Sequence, residues 1–298
     1  MHVAITGSSG LIGTALTESL RTDGHQVTRF VRSASGADDT ARWDPAAGEI
    51  DTDALAAADA VVHLAGVGIA DQRWSDAHKQ AVLDSRTDGT TTLARALADL
   101  TDGPKVLLSG SAIGYYGQTG DDAVDETAPA GSDYLADVCV QWEAAAAPAV
   151  EAGLRVAYLR TGIVQSAAGG QLKKQLLPFK LGVGGRIGDG QQYVSWITLI
   201  DEVRAIRYLL DQDVAGPVNL TAPNPARNID YTKALGSVLG RPTIFPVPTF
   251  ALKLILGSEG AEALALSSQR VLPKVLTEHG FEFSHTDIEA GLRAELGK

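Results

Sequence analysis

Residues 6–13 read TGSSGLIG, with Gly7, Gly10 and Gly13 spaced three apart. The apolar run VAIT (3–6) reads as a strand and residues 11–22 carry a helical pattern, so the loop joins a first strand to a first helix. In that context each glycine has a physical purpose. Gly7 permits a tight turn, the bare backbone lets phosphate approach, and the helix N-terminus offers free N–H groups and positive partial charge. Gly7, Ser8, Ser9, Gly10, Leu11, Ile12 and Gly13 are thus the candidate phosphate cradle of a dinucleotide.

Outward from the loop, apolar runs alternate with helical patterns. QVTRFVR (26–32), DAVVHLAG (59–66), KVLLSG (105–110) and RVAYLRTG (155–162) read as strands. Residues 74–100, with a bend expected near Gly89, and 132–150, with Pro148 near its end, read as helices. DAVVHLAG is apolar almost throughout, as in a strand covered on both faces. The alternation predicts right-handed crossovers and an α/β fold: a doubly wound parallel Rossmann sheet with a smaller C-terminal α+β substrate domain. The boundaries expected are 1–165 for the nucleotide-binding domain and 166–298 for the substrate or lid domain. Helix 200–213 and strand PVNLT (217–221) are expected to return to the first sheet, and the glycine-rich VGGRIGDGQQ (183–192) to form a loop.

The end of the second strand selects the cofactor. A carboxylate there would take the ribose 2′-hydroxyl of NAD, whereas an arginine suits the 2′-phosphate of NADP. TRFVRS offers Arg29 and Arg32 and no acid before Asp38, so the expected cofactor is NADP(H), with Arg32 the better placed arginine.

Composition narrows the partners. The 298 residues carry a formal net charge of −11, which repels nucleic acid and anionic lipid; the expected partner is a small-molecule substrate. Cys139 is the only cysteine, the N-terminus shows no signal-peptide pattern, and FALKLILG is too short to span a bilayer, so a cytoplasmic protein without membrane contact is expected. No HExxH, clustered Cys/His or GxSxG pattern occurs, so neither a metal site nor a serine hydrolase is expected.

These residues resemble the extended short-chain dehydrogenase/reductase superfamily: TGSSGLIG its glycine loop, DAVVHLAG the strand passing under the cofactor, LLSGSAIGYYG (107–117) its serine-bearing strand and YVSWITLIDEV (193–203) its substrate-domain return. Closer still is an atypical epimerase-like branch, through RWDPAAGEID (42–51), QRWSDAHKQAVLDSRTDGT (72–90) and residues 159–197. The tail, with a domain expected over about 245–294, is similar to the C-terminal domain called DUF1731. The resemblance implies cofactor contacts from Arg32, Leu64, Ala65, Gly66, Arg86, Ser109, Arg160, Gly162 and Ile163 in addition to the loop. It also implies that helices 74–100 and 132–150 would pair in a homodimer.

The superfamily's catalytic set is a serine, a tyrosine acting as acid/base, and a lysine four residues on that lowers the tyrosine pKa. Ser111 and Tyr134 match the first two, but Val138 stands where the lysine should be. Arg86, where an asparagine is expected, either supplies the missing charge or holds a structural ion pair. Tyr134 either acts as acid/base or stacks; Tyr115 and Tyr116 either serve as an alternative acid or line the pocket. Arg86, Ser111 and Tyr134 are the catalytic candidates; Ser195 and Trp196 resemble the family's substrate-loop end, where Thr198 replaces a frequent histidine, and Trp74 and Trp196 either face the substrate or belong to the core. Two functions stay open: an NADP(H)-dependent oxidoreductase or epimerase-like enzyme on a small polar substrate, and a non-catalytic NADP(H)-binding sensor or regulator.

Overall fold

A computed structural model describes residues 1–33 and 36–298. In chain order the first half contains β1 (His2–Thr6), α1 (Leu11–Thr22), β2 (Gln26–Val31), β3 (Thr40–Asp44), β4 (Glu49–Ile50), α2 (Thr52–Ala56), β5 (Ala60–His63), α3 (Asp76–Asp99) and β6 (Val106–Ala112). After a 3-10 turn at Ile113–Tyr116 follow β7 (Ala123–Val124), α4 (Tyr134–Ala144), α5 (Ala147–Glu151), β8 (Arg155–Thr161), β9 (Ile163–Gln165) and α6 (Gly170–Lys180). The rest comprises β10 (Tyr193–Val194), β11 (Trp196–Thr198), α7 (Leu199–Asp211), β12 (Gly216–Leu220), β13 (Ala226–Arg227), α8 (Asn228–Leu239), α9 (Thr249–Leu256), α10 (Ser258–Ala261), a π turn, β14 (Arg270–Val271), α11 (Lys274–Glu278) and α12 (Ile288–Glu295).

Eight strands form the main sheet in the order β12-β8-β6-β5-β1-β2-β3-β4. All neighbours pair in parallel except the short edge strand β4, which runs antiparallel to β3. Strand order reverses between β1 and β5, and such a switch point opens a crevice at the C-terminal strand ends. The sheet's side chains divide by parity. Val3, Ile5, Val62, Leu108 and Leu159 pack with α1 and α7 on one face, while Ala4, Val61, Leu107 and Val156 pack with α3 and α5 on the other. Within the segment 197–221, β12 pairs with β8 at the edge of this sheet. Outside it, α6, α8 and α12 gather around Trp196 and Tyr231 in a smaller core.

One local reading changes, and two elements were not read from the sequence. β3 and β4 extend the sheet across RWDPAAGEID, where the polar alternation hid a half-buried hairpin: Ala41 and Trp43 point inward. Helix 132–150 is two helices, because Pro148 sits in the first turn of α5, where it needs no N–H partner. Residues 170–180 form α6 despite the internal Pro178.

His63 latches the crevice. Its Nδ1 meets Thr6 Oγ1 at 2.6 Å and its Nε2 meets Thr90 Oγ1 at 3.0 Å, joining the ends of β1 and β5 to α3. Gly89 makes room for it: a Cβ there would touch both Trp43 and the His63 ring. The ring is completely buried, and burial pushes its pKa down to about 4. The unfolded chain therefore takes up this proton from pH 6.5 downward, the folded chain only near 4, so stability falls as pH drops through that window. We expect His63 to account for a loss of about 3 kcal/mol between pH 6.5 and 4. Urea unfolding of His63→Gln across that range should lack this component of the pH dependence; an undiminished pH dependence would show that His63 is not its source.

Candidate active site in the glycine-loop crevice

The loop after β1 is built by backbone crowding. Gly7 has a φ of +68°, and a Cβ there would come within 2.6 Å of the Leu64 carbonyl carbon. A Cβ on Gly13 would approach the Gly7 carbonyl oxygen to 2.3 Å, so only glycine lets α1 start so close to the turn. No side chain caps α1 at Gly10, which leaves its first N–H groups open. Beside them lies a cavity of about 300 Å3 lined by Gly7, Gly10, Leu11, Ile12, Gly13, Leu64, Gly110, Ser111, Trp142, Thr161, Ile163, Val164, Gly170 and Gln171. An uncapped helix end and a side-chain-free turn opening on one cavity fit the pyrophosphate of a dinucleotide.

Of the residues expected from the sequence, the cavity brings together Gly7, Gly10, Leu11, Ile12, Gly13, Leu64, Ser111 and Ile163. The others lie apart from its lining. Ser8 is buried and Ser9 exposed, and Arg32 is exposed just beyond β2. Arg29 is tied to Asp39 at 2.8 Å, and Asp39 also meets Arg21, so Arg29 is engaged and Asp39 is held far below the usual carboxylate range. Ala65 is half-buried and Gly66 exposed, with the Arg86 guanidinium beneath Gly66. Ser109 is fully buried and its hydroxyl meets no partner among the described residues. Gly162 is a packing glycine: a Cβ there would strike Ser195 and Thr221.

Three catalytic expectations meet different surroundings. The Tyr134 hydroxyl donates to the Lys79 carbonyl oxygen at 2.6 Å, and burial raises rather than lowers its pKa. Lys79 lies over the Tyr134 ring at 4.8 Å but pairs with Glu259. Val138 is buried, with no lysine to replace it nearby on that turn. Arg86 forms no ion pair among the described residues; it donates to the carbonyls of Val67 and Val82, both at 3.0 Å, and sits 4.8 Å above the Trp142 ring.

Ser111 is where a polar network begins. Its hydroxyl donates to Glu143 Oε1 at 2.7 Å. Arg160, expected to brush the nicotinamide, instead turns its guanidinium inward and grips both Glu143 oxygens, Nε at 2.8 Å and Nη2 at 2.9 Å. Its Nη1 donates to Tyr116, whose hydroxyl donates to Asn219 at 2.7 Å. Arg160 also stacks 3.4 Å from the Tyr115 ring centroid, so Tyr115 packs against a cation, and burial pushes Tyr116 up to about 12. The Thr161 hydroxyl donates to the fully buried Glu202, which burial raises to about 8. Trp196 is core, Thr198 caps α7, Ser195 donates to Gln269, and the Trp74 indole donates to Ile69. Burial pushes the Cys139 thiol up to about 12, out of the reactive range.

Sequence reading missed Glu143 and Trp142, both in the QWE of α4. The only available signal was helical phase: Trp142 and Glu143 lie three and four residues after Cys139, on the face turned to β6. Because Arg160 is almost fully buried, removing its partner would strand a charge. We expect Glu143→Leu to cost about 3–5 kcal/mol. The double change Glu143→Leu/Arg160→Met should recover much of that in chemical denaturation; a single variant as stable as the parent would show the pair to be dispensable.

The comparisons agree with this architecture. Residues 3–221 match the model of the NAD dependent epimerase/dehydratase family, and residues 247–295 match a domain of unknown function, DUF1731. The chain is 47% identical to the epimerase family protein Mb2239 of Mycobacterium bovis, over 97% of this chain and 96% of that one. The human epimerase family protein SDR39U1 (isoform 2), crystallised with NADPH, superposes with a TM-score of 0.90 at 31% identity, covering 100% of both chains. A nucleoside-diphosphate sugar epimerase from Corynebacterium glutamicum superposes at 0.82 and 40% identity, covering all of this chain and 58% of that one. Among the described residues no helix is long and apolar enough to cross a membrane. With its doubly wound sheet, its glycine-loop crevice and its C-terminal DUF1731 domain, this chain belongs to the NAD dependent epimerase/dehydratase family.

Proposed function

We propose that the chain binds NADP(H) in the glycine-loop crevice and acts as an oxidoreductase or epimerase-like enzyme on a small polar substrate. The observation that carries this reading is the single cavity uniting the uncapped α1 N-terminus with Ser111. The human relative crystallised with NADPH supports the choice of cofactor. The backbone N–H groups at Leu11, Ile12 and Gly13 would hold the pyrophosphate. Arg32 would take the 2′-phosphate, since Arg29 is already bound to Asp39. Bound there, the nicotinamide would supply a carbon that gives or takes hydride.

The chain's own part is positioning. Ser111, held by Glu143, meets the substrate oxygen. Arg86, half-buried and with no carboxylate partner among the described residues, lends positive potential beneath Gly66. Tyr134 is the weaker acid/base, because its hydroxyl is engaged by the Lys79 carbonyl and burial raises its pKa, outweighing the lowering pull of Arg86. A lone buried cysteine suits a reducing compartment such as the cytoplasm. The second reading, a sensor that holds NADP(H) without turnover, is favoured by Val138 alone, whose burial closes the position that a lysine would fill.

Titration followed by nicotinamide fluorescence tests the binding. NADPH should bind at least about tenfold more tightly than NADH, a difference of about 1.4 kcal/mol, and Arg32→Ala should close the gap. If neither nucleotide binds, the loop is only a structural turn. Oxidation of bound NADPH by any member of a panel of aldehydes, ketones, quinones and nucleotide sugars separates enzyme from sensor.

A further inference from the structure

The expectation of no membrane contact rested on the charge of the whole chain, and that charge is unevenly spread. Residues 170–188 and 241–256 together carry six lysines and arginines and no aspartate or glutamate, in a chain of net charge −11. The same two segments hold the most exposed large apolar side chains among the described residues. Leu177, Leu181, Ile244, Phe245, Phe250 and Leu254 are each 66–73% exposed, whereas outside these segments no large apolar side chain exceeds 48%.

The fold brings the pieces onto one face. Val247 donates its N–H to the Arg186 carbonyl at 2.8 Å and forms a β-bridge with Ile187. Gly185 lies so close to Phe245 that a Cβ there would strike the Phe245 carbonyl oxygen. Leu177 and Leu181 stand one turn apart at the end of α6, and Phe250 and Leu254 one turn apart on α9. Beside them Lys180, Arg186 and Arg241 are exposed and form no ion pair among the described residues. Lys173 and Lys174 donate only to the carbonyls of Ala168 and Ala70 and keep their charge, while Lys253 is paired with Glu262.

Single exposed apolar residues need no explanation, but a contiguous group marks an interaction surface. Its cations favour an anionic partner and oppose a second copy, because a two-fold pairing would set like charges face to face. Side chains so exposed project from the surface instead of lining a groove, so they enter the partner rather than receive a peptide. Phe, Leu and Ile bordered by Lys and Arg suit a bilayer interface, which takes apolar side chains at the headgroup boundary and cations on anionic headgroups. We propose that this face docks the protein peripherally on an anionic lipid bilayer, with Phe250 and Leu254 entering the headgroup boundary and Lys180 and Arg186 meeting the headgroups. The contact is interfacial and needs no spanning helix. Gly170 and Gln171 line the cavity at one end of α6 and Leu181 lies on the docked face at the other, about 15 Å away.

The test is cosedimentation of the full chain with vesicles of phosphatidylcholine alone and of phosphatidylcholine mixed with phosphatidylglycerol. The mixed vesicles should bind at least about tenfold more tightly, and added salt should weaken the binding. Lys180→Gln/Arg186→Gln should weaken it about fivefold for each cation removed. Phe250→Ser/Leu254→Ser should weaken it at least about tenfold, and Ile200→Ser, at an exposed position on α7, should leave it within about twofold. Phe250→Trp should add a blue-shifted fluorescence on the mixed vesicles that the parent lacks. Thermal melts establish that each variant is folded. A folded chain that ignores the mixed vesicles overturns the proposal, and so does binding that survives Phe250→Ser/Leu254→Ser, which is adsorption by charge alone. In place of vesicle binding, self-association abolished by Phe250→Ser/Leu254→Ser would assign the face to a second copy. Capture of a synthetic Leu/Glu amphipathic peptide instead of vesicles would assign it to an acidic protein; either result overturns the membrane assignment.

Discussion

The close approach of three backbone segments governs the rest of the molecule. Gly7 lies against Leu64 and Gly13 against Gly7, at separations that no side chain would tolerate. That contact brings the N-terminus of α1 to the switch point between β1 and β5, where the sheet changes direction. His63, at the end of β5, then locks the end of β1 to α3 from below, through Thr6 and Thr90. A crevice held open this way presents backbone N–H groups and a positive helix end without using a charged side chain. An overall acidic chain can thus offer an anion site within a crevice.

The opposite wall is organised by a buried ion pair. Glu143 and Arg160 are gripped through two hydrogen bonds, and the network runs on to Ser111 in one direction and to Tyr116 and Asn219 in the other. It links α4 to β6, β8 and β12, so the wall bearing Ser111 and Trp142 is fixed by three strands and a helix. Such a network is costly to break and weak as net stabilisation, which points to geometry as its benefit. In the superfamily pattern a lysine would organise this wall through the tyrosine. Here Val138 fills that position with packing, and the charged organiser sits five residues further along the same helix, at Glu143.

Much of this was legible in the sequence, for reasons tied to range. TGSSGLIG declared itself because turn, cradle and helix start are all local. The parallel strands declared themselves through continuous apolar runs such as DAVVHLAG. β3 did not, because only Ala41 and Trp43 of TARWD face inward and the strand is short. The break after Ala144 was ambiguous because Pro148 fits a helix start as well as an end. Glu143 was illegible for another reason: its partners Ser111 and Arg160 stand 32 and 17 residues away, and nothing in an isolated QWE says which wall it faces. Arg160 misled in the same way, since an arginine ending a strand beside a cofactor crevice can turn either outward or inward. Tyr134 sat at the expected position in the chain, but only the fold shows its hydroxyl engaged by Lys79.

The central claim is that the glycine-loop crevice, with Ser111 on its far wall, is where a nicotinamide dinucleotide binds. Hydrogen–deuterium exchange with and without saturating NADPH addresses it most directly. The account predicts new amide protection concentrated in residues 7–13 and 109–111, with residues 249–266 of α9, α10 and the π turn unchanged. Protection that appears elsewhere, or nowhere, while NADPH is demonstrably bound would contradict it.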